Sequence, residues 1–405
     1  MKKDNPSLPI AGRVRRIKPS PSTQAAARAR ELKAQGRDIV DLALGEPDFD
    51  TPEPIKQAAC AAIARGETKY TPVNGTPRLR DAIRAKLLKR LGATYGANQI
   101  VVGSGAKQLI FTALLATVET GVEVIVPAPY WVSYPDMVLA CDGTPVIVRC
   151  GEETGFKLTA AALESAITPH TRWLILNSPS NPTGASYTKD ELRALADVLI
   201  RHPEVYVLLD DIYDEIVFDG ATPPSLIQVE ERLVARTLLL NGVSKTYAMT
   251  GWRIGYGAGP AAIAEAINTL ISQSTSCPSS ISQAAAVAAL EGDQSFVHKA
   301  LGIYAERRDA AVELLNKIPG FHCIKPQGAF YVFPSCAGVI GKTTPEGKTI
   351  ANDHDFAMYL IDQGVVVIHG AAYGLSPHIR LSVATGIELV REGCVRIAKA
   401  VALLR

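Results

Sequence analysis

No apolar run in the chain is long enough to span a bilayer, so no membrane helix is expected. No internal repeat and no low-complexity segment is present either. Charge bias is also absent. The 42 Lys and Arg against 40 Asp and Glu leave a formal net charge of +2, which gives no reason to expect a nucleic-acid partner. Cysteine is sparse: Cys60, Cys141, Cys150, Cys277, Cys323, Cys336 and Cys394 form no C-x-x-C, and their number is odd. That argues against a disulfide frame or a zinc site, and for reduced thiols in the cytoplasm. The seven histidines form no H-E-x-x-H and do not cluster with the cysteines, so no metal is expected. The N-terminal arm is basic (Lys2, Lys3, Arg13, Arg15, Arg16, Lys18) but lacks the apolar stretch and small-residue cleavage pattern of a targeting peptide. It reads as a solvated arm, or as one folded over a partner subunit.

What is present is ordinary globular composition, 47% apolar and 20% charged. At 405 residues the chain exceeds the size at which one core stops growing, so two subdomains are expected. Ala-rich helices are predicted at 23–35 (ended by Gly36), 54–65 and 79–91, and a short strand at 39–44 delivers the turn-rich Gly45-Glu46-Pro47-Asp48. Apolar strands at 100–102, 123–126, 144–148, 173–176, 205–209 and 237–240 then alternate with Ala/Leu-rich helices, with little sign of hairpins. This is the pattern of an α/β fold with a mostly parallel sheet covered by helices. From about residue 295 the character changes. A long helix at 296–318 suits a bridge between subdomains, and shorter strands (365–368, 378–383) and helices (355–363, 389–404) follow in a smaller α+β unit.

Open parallel sheets bind ligands outside the C-terminal ends of their strands. Those ends carry Gly103-Ser104-Gly105-Ala106-Lys107, Pro127-Ala128-Pro129-Tyr130-Trp131, Asn181-Pro182-Thr183-Gly184, Asp210-Asp211-Ile212-Tyr213 and Ser244-Lys245. A lysine at the end of a buried strand is costly unless paired or covalently used, and Ser244 and Arg253 can reach an anion beside it. This suggests a Schiff-base lysine beside a phosphate site; a surface lysine in a turn is the plain alternative. Exposed N–H groups at the helix start after Gly105 make an anion site. The dinucleotide motif G-x-G-x-x-G fails because residue 108 is Gln, and the nucleotide motif G-x-x-x-x-G-K-[ST] has no match. Asp210 ends an apolar strand and needs a cationic or hydrogen-bonding partner, unless it only caps a helix. Trp131 can stack on a flat ring or fill a core. Taken together, an amine (Lys245), a ring-nitrogen acid (Asp210), phenolate donors (Tyr213, Asn181), a stacking ring (Trp131) and a phosphate cup (Gly105, Ala106, Ser244, Arg253) suit pyridoxal phosphate.

With these residues in place the chain resembles the fold-type I, class I aminotransferases, and within them the bacterial aspartate aminotransferases. The matching motifs are Gly45-Glu46-Pro47-Asp48-Phe49, Lys69-Tyr70, Tyr130-Trp131-Val132-Ser133-Tyr134-Pro135, Asn181-Pro182-Thr183-Gly184, Asp210-x-x-Tyr213, Ser244-Lys245, Gly251-Trp252-Arg253-Ile254-Gly255 and Arg380-Leu381-Ser382. The resemblance implies a large domain with a mostly parallel seven-stranded sheet (49–294), and a small domain formed by 295–405 with part of 1–48. It implies that Lys245 binds the cofactor aldehyde and shuttles the proton between substrate Cα and cofactor C4′. Asp210 keeps the pyridine nitrogen protonated, Tyr213 and Asn181 bond the ring oxygen, and Trp131 stacks. Ser244, Arg253 and the backbone of 105–107 hold the phosphate, with Tyr70 from a second subunit of a homodimer. Arg380 forks onto the substrate α-carboxylate, helped by Asn181 and the Gly45 backbone.

For the distal carboxylate, the segment 272–278 lacks the arginine found in animal-type aspartate enzymes. Lys107 stands where the bacterial subgroup uses a lysine, and Ser22 where it has a helping hydroxyl. Val383 occupies a position where an aromatic is expected. The expected reaction is ping-pong transamination between L-aspartate and 2-oxoglutarate. Prephenate or aromatic amino acid transamination, or a C–S β-lyase on the same fold, stays open. A transcription regulator built on such a domain needs an N-terminal helix-turn-helix, for which roughly 45 residues before Gly45 are too few.

Overall fold

The computed structural model describes residues 10–19 and 21–405, apart from the side chains of 21–24 and 26. Its strands are β1 (Val40–Asp41), β2 (Ile100–Gly103), β3 (Glu123–Ala128), β4 (Thr144–Arg149), β5 (Thr171–Asn177), β6 (Tyr206–Asp210), β7 (Thr237–Gly242), β8 (Gly255–Ala258), β9 (Tyr331–Val332), β10 (Val365–Val366), β11 (Ile368–His369) and β12 (Ile379–Ser382). Seven of them form one sheet in the order β2-β8-β7-β6-β5-β3-β4. Every pairing in it is parallel except those of β8, which runs antiparallel to β2 and β7. The protein is therefore α/β with a mostly parallel seven-stranded sheet.

Side chains alternate across a strand, so each strand feeds two cores. Val102, Ile125, Leu174, Leu176, Val207, Leu209 and Leu239 pack on one face. Val101, Val124, Val126, Trp173, Ile175, Leu208, Leu238 and Leu240 pack on the other. Both faces are covered by helices, which is why these strands read as continuous apolar runs rather than as alternating ones. Six of the seven coincide with the predicted strands to within a few residues; β8 is not among those predicted. Its sequence, Gly-Tyr-Gly-Ala, has no β-branched residue.

A third core lies outside the sheet and gathers Leu42, Tyr304, Phe330, Tyr331, Phe356, Leu381 and Ile397. Around it β11-β12-β9 make an antiparallel sheet and β1 pairs with β10. The predicted strand at 365–368 thus divides between two sheets, and only Val40–Asp41 of the predicted 39–44 pairs. The helix Ser295–Leu315 joins the cores, burying Val297 in the first and Ala300, Tyr304, Ala311 and Leu315 in the third. Among the described residues, no helix is long and apolar enough to cross a membrane.

Candidate active site

The C-terminal ends of β2, β3, β5, β6 and β7 lie along one edge of the sheet, as their shared direction requires. An open cleft of about 340 Å³ occupies that edge. After β2 the chain turns at Gly105 (φ +90°) into the helix Ala106–Thr117. No side chain caps that helix, so its first N–H groups are left for a ligand at the cleft wall formed by Ala106 and Lys107. Arg253 meets the same turn. Its guanidinium donates to the Thr250 carbonyl at 2.9 Å and the Ser104 carbonyl at 3.3 Å. A Cβ on Gly105 would lie 2.4 Å from Arg253 Nη2, so only glycine lets the two approach. The segment between β7 and β8 is a turn carrying Ser244 and Lys245, with left-handed backbone at Ala248 (φ 51°) and Arg253 (φ 57°). Such non-glycine conformations cost about 1–2 kcal/mol each and cluster at functional sites.

Burial sets the charges. Asp210, 4% exposed, ends β6, and its Oδ2 accepts a 2.6 Å bond from the Tyr134 hydroxyl. Its Oδ1 has no hydrogen-bond partner among the described residues. Burial lifts the carboxyl to about 6, with the Tyr134 bond opposing. Lys245 Nζ donates to the Gly45 carbonyl at 2.7 Å. Burial pushes its ammonium down to about 8; Glu46 opposes the shift, while Arg380, Arg253 and Lys107 add to it. Lys107 Nζ stands 4.7 Å over the Trp131 ring, and burial and then Arg253 lower its pKa. Arg380, 2% exposed, donates to Asn181 Oδ1 at 3.1 Å and to the Ala43 carbonyl. Neither partner is charged. A buried guanidinium without a carboxylate calls for an anionic ligand.

The cleft brings together Gly45, Ala106, Lys107, Trp131, Asn181, Asp210, Tyr213, Ser244, Lys245, Arg253 and Arg380. Gly105 lies behind the Arg253 guanidinium. Tyr70 is not among the lining residues; it stands 89% exposed on a separate surface groove with Lys69 and Arg78. The Ser22 side chain lies outside the described residues. The sequence reading gave no role to three further residues. Tyr134 holds Asp210. Asn177, paired in register with Asp210, donates to the Asp210 carbonyl at 2.7 Å and accepts from Asn181 N at 2.9 Å. Tyr331 lies under Arg380. Tyr134 sits inside a matching motif and Asn177 directly follows the strand predicted at 173–176, so both carried a signal. Tyr331 carried only its place in the segment Gly328-Ala329-Phe330-Tyr331.

Compared with known families, residues 37–397 match the aminotransferase class I and II model. The chain belongs to this family. The probable aspartate/prephenate aminotransferase of Rhizobium leguminosarum bv. phaseoli is 52% identical over 391 residues, covering 96% of this chain and 98% of that one. The aspartate/prephenate aminotransferase of Cereibacter sphaeroides is 53% identical, covering 94% and 96%. Among solved structures, the aspartate aminotransferase from Rhizobium meliloti superposes with a TM-score of 0.95 at 51% identity, covering 98% and 99%. That from Thermus thermophilus with maleate gives 0.90 at 39% identity, covering 96% and 99%.

This aminotransferase is pyridoxal phosphate-dependent, as its family is, and the cleft fits that group on its own terms. Among the described residues no donor sits in hydrogen-bond geometry to the buried Asp210 Oδ1, a place that a protonated ring nitrogen suits. The Gly105 turn, Ser244 and Arg253 offer donors to a phosphate. Lys245, with its pKa held near 8, has an amine fraction for an aldehyde at neutral pH.

Proposed function

We propose that this aminotransferase moves the amino group between L-aspartate and 2-oxoglutarate by a ping-pong route. The observation that carries this reading is a pair of cations in one cleft: Arg380, buried with only neutral partners, and Lys107 in the cleft wall beside Trp131. A dicarboxylic amino acid needs two such partners, and a planar fork suits its α-carboxylate. In this reading Arg380 takes the α-carboxylate with Asn181 and the Gly45 backbone, and Lys107 takes the distal one with Ser22. Asp210 takes the ring nitrogen, Tyr213 and Asn181 the ring oxygen, and Trp131 the ring face. Gly105, Ala106 and Lys107 (through the backbone), Ser244 and Arg253 hold the phosphate.

Pyridoxal phosphate, when bound, supplies an aldehyde for amines and a ring that withdraws electrons from the amino acid's α-carbon. Lys245 Nζ accepts the α-proton, a task suited to an amine whose pKa lies near working pH. Asp210, held by Tyr134, keeps a negative charge aimed into the cleft.

The near-complete exposure of Tyr70 supports a homodimer in which Tyr70 of the partner subunit completes the phosphate site. The separate apolar clusters support a large domain, 49–294, and a small one formed by 295–405 with part of 1–48. Seven cysteines without a disulfide support a reducing, cytoplasmic setting. A second reading, prephenate as acceptor, is favoured by the names of the Rhizobium leguminosarum and Cereibacter relatives.

Purified holoenzyme should be yellow, lose its colour with L-aspartate and regain it with 2-oxoglutarate or prephenate. A protein that stays colourless after reconstitution with pyridoxal phosphate sinks the cofactor reading. Bleaching by alanine or phenylalanine but not by aspartate sinks the substrate reading. For Lys107→Ala, kcat/KM on aspartate should fall about 10- to 100-fold, the worth of a charged hydrogen bond, with little change on phenylalanine. Equal losses on both would remove Lys107 from distal-carboxylate recognition.

A further inference from the structure

We propose that Tyr331 is a positioning residue that joins the cofactor side of the cleft to its carboxylate side, acting through Tyr213 on one and Arg380 on the other. The inference rests on the reading that Tyr213 bonds the cofactor's ring oxygen and Arg380 the α-carboxylate. Tyr331 opens β9 and is 2% exposed. Its hydroxyl lies 2.8 Å from the Tyr213 hydroxyl, and the Arg380 guanidinium stands 4.5 Å over its ring centre. Register explains both contacts. Tyr331 pairs with Ser382 on β12, and Arg380, two residues before Ser382, shares that face, so ring and guanidinium meet on the diagonal. Tyr213 comes from the turn after β6, in the other sheet. The hydroxyl pair therefore ties the two sheets together at the cleft.

Gly45 packs closely against this pair. A Cβ on Gly45 would lie 2.3 Å from the Tyr331 hydroxyl, and the Gly45 carbonyl holds Lys245. Each tyrosine hydroxyl has one proton to donate. When the Tyr213 proton goes to an anionic ring oxygen, the Tyr213 oxygen is left to accept, and Tyr331 becomes its donor. That donation polarises Tyr213 and strengthens its own bond. The Arg380 charge over the ring face favours Tyr331 as the donor. The same ring, through a cation–π contact, holds the guanidinium in place.

The test is the pH midpoint of the bound cofactor's visible band in holoenzyme, which reports how well an anionic ring oxygen is stabilised. Tyr331→Phe should raise the midpoint by about half a unit and Tyr213→Phe by more, from the strengthening expected of one coupled bond. The double variant should match Tyr213→Phe alone, because the Tyr331 hydroxyl then has nothing to act through. Equal shifts from Tyr331→Phe in both backgrounds, or none in either, would overturn the proposal. An unmoved band in Tyr213→Phe would instead overturn the reading on which it rests. Tyr331→Phe keeps the ring and should hold KM for L-aspartate within about twofold, whereas Tyr331→Leu should raise it about fivefold or more. A KM unchanged in both removes the Arg380 half. If Tyr331→Phe does not fold, 3-fluorotyrosine placed at 331 keeps the ring and makes the hydroxyl more acidic. It should lower the midpoint; an unchanged or raised midpoint counts against the proposal.

Discussion

Asp210 sits where burial opposes its charge, and this gives it a measurable signature. Its carboxyl is lifted from 3.8 to about 6, so the folded chain holds a proton that the unfolded chain has lost across that window. Stability from this group is present below the unfolded value and is lost as pH rises through the folded one. In cofactor-free protein the advantage of wild type over Asp210→Asn should therefore fall, by about 1–3 kcal/mol, between roughly pH 4 and 7. Thermal melts of both proteins across that range check it; a pH-independent difference would show that another group titrates. Cofactor affinity of Asp210→Asn should drop at least about tenfold, the worth of a charged hydrogen bond. Lys245 and Asp210 were legible because a charge at the end of an apolar strand is expensive and demands a reason, whereas Arg380, inside β12, was placed only by the resemblance of Arg380-Leu381-Ser382. Tyr134, Asn177 and Tyr331 were harder to read. A buried hydroxyl or amide costs less than a charge, and what it bonds is decided by register between strands distant in sequence.

Among the elements, the parallel strands were legible because burial on both faces leaves uninterrupted apolar runs. β8 was not, because its glycines answer to close packing rather than to hydrophobicity. A Cβ on Gly255 would lie 2.1 Å from the Ala106 backbone nitrogen, so this strand exists to bring the Arg253 turn against the first turn of the Ala106–Thr117 helix. Backbone cannot yield as a flexible side chain does. Gly255→Ala should cost about 1–3 kcal/mol, the range for overpacking, and should weaken cofactor binding more than Gly251→Ala. Gly251 has open space where its Cβ would be. Denaturant melts and cofactor titrations of the two variants measure the difference. The run 365–368 read as one strand because periodicity does not say which sheet a residue joins. The split between β10 and β11 is set by separate partners, β1 and β12.

For the whole molecule, the question is whether one chain completes the cleft. Tyr70 stands away from it, so the homodimer reading predicts complementation. Tyr70→Ala and Lys245→Ala should each be poorly active, the second by about 100-fold or more from loss of its proton transfer. Unfolded and refolded together in equal amounts, they should recover about one quarter of wild-type activity, because half the dimers then carry one site with both residues native. Recovery no greater than the sum of the separate variants would place Tyr70 outside the site. The alternation of strands and helices made the large sheet legible, and the change after residue 295 marked the helix that buries side chains in two cores. Oligomeric state was not legible from the pattern, because a surface that meets a copy of itself need not differ in overall polarity from one that meets water.

The turn that carries Lys245 has a thermodynamic consequence. Its ends are pinned by one ladder, with Gly242 opposite Gly255, and its interior is braced by Thr51, whose hydroxyl donates to the Ala248 carbonyl at 2.7 Å and accepts from Trp252 Nε1 at 2.9 Å. The left-handed residues in it are thus held by the fold before any ligand arrives. Little chain entropy is left for the cofactor to remove, so its affinity is not discounted for ordering its own socket. Amide hydrogen exchange of residues 243–254 should be nearly as slow in cofactor-free protein as in holoenzyme, and a large difference would mean that the ligand, not the sheet, shapes this turn.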